Sequence, residues 1–138
     1  MRYAEGTAVS VEASRAEISS ILTKHGVRRQ SWGSDADHGD MLQFELGGYT
    51  FRFQITYPTL KEVQKMYPNA RDYAPKVAQE WKRRWRANVL LLKAKLEFAD
   101  GETTTVMREL MPYTVLSDGR TLEEAIAADG LPLLTAGK

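Results

Sequence analysis

The sequence predicts an α+β domain, and three observations carry that prediction. Two runs of alternating apolar residues flank a Gly-Gly pair, a long stretch from about 76 to 98 repeats at helical spacing, and three Ser/Thr-x-x-Glu signatures mark helix starts. At 138 residues and 43% apolar composition, the chain supports one domain with a sizeable core.

The first signature is Ser14-Arg15-Ala16-Glu17, which predicts an N-terminal helix over about 15–25, with Ile18, Ile21, Leu22 and His25 on one face. Gly26 suits the left-handed residue that ends a helix. The alternation Thr7-Ala8-Val9-Ser10-Val11 predicts a short strand before it. Val27 to Trp32 reads as a further strand, followed by a loop from Gly33 to Asp40.

Period two is clearest over 41–55. Leu42, Phe44 and Leu46 alternate with Gln43 and Glu45, and beyond Gly47-Gly48 the residues Tyr49, Phe51, Phe53 and Ile55 alternate with Thr50, Arg52 and Gln54. A two-residue Gly-Gly loop accommodates two positive φ angles and so fixes the register. Leu46 then opposes Tyr49, Phe44 opposes Phe51 and Leu42 opposes Phe53 on one apolar face, with Glu45/Thr50 and Gln43/Arg52 on the other.

Thr59-Leu60-Lys61-Glu62 predicts a short helix ended by Pro68, and Pro75 fits the first turn of the long helix, which should stop at Asp100-Gly101. Thr105 to Met111 reads as another short helix and Val115 to Arg120 as a strand and turn. Thr121-Leu122-Glu123-Glu124 is the third capping signature. The sheet centred on the 41–55 hairpin is therefore expected under two helices, 76–98 and 15–25.

Trp81, Trp85, Val89, Leu92 and Leu96 fall on one side of the long helix at 100° per residue, so both indoles are expected in the core. Lys82, Arg86 and Lys93 line one flank with Arg83 beyond them; Arg84 and Lys95 line the other. Leu90, Leu91 and Phe98 point elsewhere. Either the C-terminal segment covers them or they form half of a subunit or partner interface.

The formal charge is +1, but it is unevenly spread. Residues 76–95 hold seven basic side chains and one acid, Glu80, whereas 96–138 hold three basic and eight acidic. Two readings follow: the acidic third folds back on the basic helix, or the basic stripe is open to a polyanion. The nucleic-acid reading names Lys82, Arg83, Arg86 and Lys93, with Arg28, Arg29 and Arg52 contributing from the sheet side.

Cysteine is absent, which removes thiolate chemistry and disulfides and fits a cytoplasmic setting. The N-terminus lacks the apolar core of a signal peptide, and the longest apolar run, Val89 to Leu92, is far too short for a bilayer span. No membrane partner and no cofactor are expected. Asp35, Asp37, His38 and Asp40 resemble the start of a calcium loop, but Gly39 stands where a third acidic ligand belongs and Leu46 where the bidentate glutamate belongs, so no metal site is expected. His25 and His38 lack the company of a catalytic triad, and the chain reads as a non-enzyme.

Tyr3-Ala4-Glu5-Gly6-Thr7, Val9-Ser10-Val11-Glu12, Ser14-Arg15-Ala16-Glu17-Ile18, Trp81-Lys82-Arg83-Arg84-Trp85-Arg86-Ala87 and Lys93-Ala94-Lys95-Leu96-Glu97 together resemble a family of small uncharacterised proteins of tailed phages and prophages. That resemblance covers most of the chain. It implies a host-cytoplasm setting and supplies no catalytic residues. The expected role is a non-catalytic accessory protein that binds nucleic acid or a nucleoprotein complex through its basic helix. The alternative is a host-directed inhibitor of a defence or transcription component, acting by protein–protein binding through Leu90, Leu91, Phe98 and the basic flank of the long helix. Self-association through the same residues is a further option.

Overall fold

Residues 2–100 and 104–130 are described by a computed structural model. Helix α1 (Val11–Lys24) precedes three strands, β1 (Gln30–Asp35), β2 (Gly39–Leu46) and β3 (Tyr49–Ile55); then come α2 (Leu60–Met66), the long α3 (Ala74–Asp100), α4 (Val106–Leu110), a 3₁₀ turn (Met111–Tyr113) and α5 (Leu122–Asp129). The sheet is antiparallel in the order β1-β2-β3, and the architecture is α+β as expected.

The hairpin has the predicted register: Leu46 faces Tyr49, Phe44 faces Phe51 and Leu42 faces Phe53. Its apolar face meets Trp85, Val89, Leu92 and Leu96 of α3 and Ile18, Ile21 and Leu22 of α1 in one buried cluster. Helix α1 runs beside α3 in the same direction. Gln79 Nε2 donates to the Thr7 carbonyl (2.9 Å), Arg86 pairs with Glu17, and His25 meets Asp100 where both helices end. The free edge of β3 is covered by residues 114–121, with the Val115 amide donating to Thr50 O (2.8 Å) and a bridge joining Thr114 to Phe51. Tyr113 stacks on Phe53 with ring centroids 3.9 Å apart.

Several boundaries differ from expectation. Helix α1 starts one turn early: Ser10, in extended conformation, accepts from the Ala13 amide, so 7–11 is no strand and Val11 begins the helix. Ser14 is then fully buried inside it, and Glu17 turns to Arg86 instead of closing a capping box. The earlier start packs Val11 against the core, which a start at Ser14 would forgo. At the other end Gly26 has φ +91°, Gly26 N–H bonds Thr23 O, and Val27 N–H bonds Leu22 O (3.0 Å). This is a Schellman closure, with Val27 buried against the core as its apolar residue. Val27 is consumed by the cap, so β1 begins at Gln30 and runs through the predicted loop to Asp35, pairing Gly33 with Met41.

The three later helix starts match the sequence reading. Thr59, Thr105 and Thr121 each accept from an amide three residues on. Helix α3 is two residues longer at each end than 76–98, and its expected stop at Gly101 lies outside the described residues.

Gly39 opens β2 at φ +101°, and a Cβ there would sit 2.2 Å from Ile55 O and 2.6 Å from Tyr57 N. Both are backbone atoms and cannot swing aside. Gly39→Ala is expected to cost about 2–3 kcal/mol from strain and overlap together. Gly47→Ala, at φ +62° with open space around it, should cost only about 1–2 kcal/mol. Urea melts compare the two; a larger loss at Gly47 would contradict the packing around Gly39.

Candidate functional site

The charge on α3 is largely satisfied inside the molecule. Glu80 lies one turn before Arg83 and Arg84, the spacing at which helical neighbours meet. Its Oε1 accepts from Arg83 Nε (2.6 Å) and its Oε2 from Arg83 Nη2 and Arg84 Nε (both 3.0 Å). Arg2 reaches across to donate to Oε1 (2.6 Å) and to Tyr67 Oη (3.2 Å). Burial alone would raise the Glu80 carboxyl, but the hydrogen bonds from Arg83, Arg84 and Arg2 outweigh it and hold the group at about 2. Arg84 also binds Glu62 and donates to Thr56 O (2.9 Å).

Internal neutralisation therefore occurs, but mostly through Glu17, Glu62 and Glu80. From the acidic C-terminal third, Glu109 approaches Lys95 (3.6 Å) and Glu124 pairs with Arg52 on β3 (3.2 Å).

The seven sequence-named cations thus divide. Arg83 is bound to Glu80, Arg86 to Glu17, and Arg52 to Glu124 and the Gly119 carbonyl (2.8 Å). Lys82, Lys93, Arg28 and Arg29 have no ion pair among the described residues. Lys82 and Lys93 lie within 20° of each other around α3, roughly 16 Å apart along its axis. Arg28 and Arg29 are exposed where the chain leaves the α1 cap for β1.

These two arginines line a cleft of about 520 Å³ at the turn end of the hairpin, together with Glu45, Gly47-Gly48, Tyr49 and Thr50. Tyr49 shares the apolar face of β3 but remains 51% exposed. Among the described residues its ring meets one other aromatic ring, that of Phe51, at 6.5 Å. Sequence reading placed Tyr49 in the core pattern; its position beside the turn was the one sign that it could escape cover. Two unpaired guanidinia beside an open phenol ring can bind phosphate oxygens and stack a base.

The tryptophans also divide. Trp85 is fully buried, stacked on Trp32 at 5.8 Å, whereas Trp81 is half-buried and meets Trp85 edge-on at 6.0 Å. Trp81 and the exposed Tyr57 form one wall of a second cleft of about 660 Å³, which carries Glu12, Arg15, Asp35 and Asp40. Asp40 is buried and accepts from Arg15 (2.9 Å) and Ser34 (2.7 Å), while Asp35 takes His38 (2.9 Å) in the β1–β2 turn. Of the residues that resemble the start of a calcium loop, Asp35 and His38 thus pair with each other while Asp40 turns to Arg15 and Ser34. Among the described residues no group of three or more His, Asp or Glu is arranged to hold a metal ion.

Leu90 is half-buried, while Leu91 (41% exposed) and Phe98 (55%) stay open on α3, seven residues apart and so on one face. Helix α4 packs on α3 through buried Leu110 but leaves this pair uncovered. Among the described residues no helix is long and apolar enough to cross a membrane. Comparisons with protein-family models, curated proteins and solved structures found no match.

Proposed function

We propose that this chain is a non-catalytic phage or prophage accessory protein that binds nucleic acid or a nucleoprotein complex. The carrying observation is the hairpin-end cleft, where Arg28 and Arg29, free of carboxylate partners among the described residues, stand beside the exposed ring of Tyr49. Lys82 and Lys93 supply further unpaired charge along α3. The basic helix thus contributes through its lysines, while Arg83 and Arg86 serve mainly to hold the fold. The phage setting rests on the resemblance of the 3–18 and 81–97 segments.

Affinity for generic single-stranded DNA or RNA should fall linearly with salt on a log-log plot, with a slope of about −0.7 per phosphate contact. Arg28→Ala/Arg29→Ala should flatten that slope by more than 1, and Tyr49→Ala should weaken binding with the slope retained. Absence of binding at low salt, or binding indifferent to both salt and these substitutions, overturns the reading.

The second reading is the host-directed inhibitor, favoured by the exposed pair Leu91 and Phe98. Pull-down from host lysate with and without nuclease separates the two. Nuclease-sensitive recovery supports nucleic acid; one stoichiometric protein lost with Leu91→Asp/Phe98→Asp supports the inhibitor.

A further inference from the structure

The cleft beside Trp81 repeats a chemistry that the molecule already uses once. Arg15 lies with its guanidinium carbon 5.5 Å from the Trp32 ring centre and 5.2 Å from that of Trp85, and its charge is answered by Asp40 at 2.9 Å. One cation is thus held by two indoles and a carboxylate. The adjoining compartment has the same components: Trp81 and Tyr57 with ring centres 4.9 Å apart and planes tilted by 57°, and the carboxylates of Glu12 and Asp35. Glu12 makes no ion pair among the described residues, and Asp35 is held by the exposed His38 (2.9 Å) and by the Asp37 amide, which donates to its Oδ1 (2.8 Å).

We propose that the Trp81/Tyr57 cleft binds an organic cation, a guanidinium or ammonium group, against the two rings with Glu12 and Asp35 as counter-charges. Tilted electron-rich rings attract such a group at their faces, and nearby carboxylates add to that attraction. A phosphate or carboxylate ligand would instead meet three acids, of which Arg15 answers only one. A purely apolar ligand would strip water from Glu12 and Asp35 without replacing it. At about 660 Å³ the cleft holds an arginine or lysine side chain with part of its backbone. It is separate in sign and location from the basic hairpin-end cleft, so either can fail without the other.

The test titrates the intact protein with N-acetyl-arginine amide, its uncharged isostere N-acetyl-citrulline amide, and a capped Gly-Arg-Gly tripeptide, following tryptophan emission and the Trp81 indole N–H resonance. The arginine probe should bind with an affinity on the order of 1 mM and the citrulline probe about tenfold more weakly. Glu12→Gln and Tyr57→Leu should each weaken arginine binding several-fold. Glu12 is exposed in the first turn of α1, so Glu12→Gln keeps the test interpretable even if Tyr57→Leu loses stability. A tripeptide much tighter than the single residue identifies a partner polypeptide as the source of the cation, and equal affinities identify a free small cation. Equal binding of arginine and citrulline, or no response of the Trp81 indole to arginine at tens of millimolar, overturns the proposal.

Discussion

Trp85→Ala is expected to destabilise the domain by about 3–5 kcal/mol, the range for removing a large buried aromatic side chain. Trp85 has 0% exposure, stacks on Trp32, receives the edge of Trp81 and supports the Arg15 guanidinium. Its removal would open a cavity between the sheet and both major helices and would also leave Arg15 with one ring fewer. Against a total stability of about 5–15 kcal/mol, a loss of that size brings the domain near unfolding. Trp85→Phe should cost far less. The indole Nε1 has no hydrogen-bond partner among the described residues, so phenylalanine discards an orphan donor along with some volume. Trp81→Ala, at a half-buried site, should fall well below Trp85→Ala in urea melts. Equal losses at the two tryptophans would contradict their division between core and cleft wall.

That division shows where the sequence was legible and where it was not. Period two on both sides of Gly47-Gly48 determines the hairpin pairing, because a slip by one residue would turn Phe44, Phe51 and Phe53 to solvent. Helical spacing likewise places Trp85, Val89, Leu92 and Leu96 inward. Spacing on one helix cannot tell how far the covering layer extends, however. Trp81 lies on the stripe near the start of α3, beside the β1–β2 turn, where cover gives way to a cleft. The helix start at Ser10 was hidden for a different reason: two serines four residues apart can both cap, and burial of Val11 decided between them.

The fate of the basic stripe was legible in part. Glu80 precedes Arg83 and Arg84 by three and four residues, which signals pairing on any helix. Nothing local signals Arg2, whose approach depends on the N-terminal segment crossing back over α3 and Tyr67. Similarly, Arg86 and Glu17 meet only because α1 and α3 run side by side. Arg28 and Arg29 stay exposed, with no ion pair among the described residues, because the Schellman cap holds the chain at Val27 and releases the next two residues outward.

Glu80→Gln is expected to cost about 3 kcal/mol or more, since removing the acid from a buried ion cluster leaves its cations uncompensated. The Glu80 side chain is fully buried, whereas Arg2, Arg83 and Arg84 keep partial access to water and Arg84 keeps Glu62. That access places the cost toward the lower end of the range for broken buried pairs. Arg2→Ala should cost only about 1 kcal/mol, because Arg83 and Arg84 still hold the carboxylate. The pH dependence has a definite sign. The Glu80 carboxyl is depressed to about 2 in the fold, so its contribution is complete above the ordinary glutamate range and is lost as pH falls through about 2. The stability gap between wild type and Glu80→Gln should therefore be constant above about pH 5 and narrow steadily from there to about pH 2. Denaturant melts across that window read it directly. A gap that stays constant throughout, or a variant as stable as wild type at neutral pH, would show that Glu80 is not the anchor joining the N-terminal segment to α3.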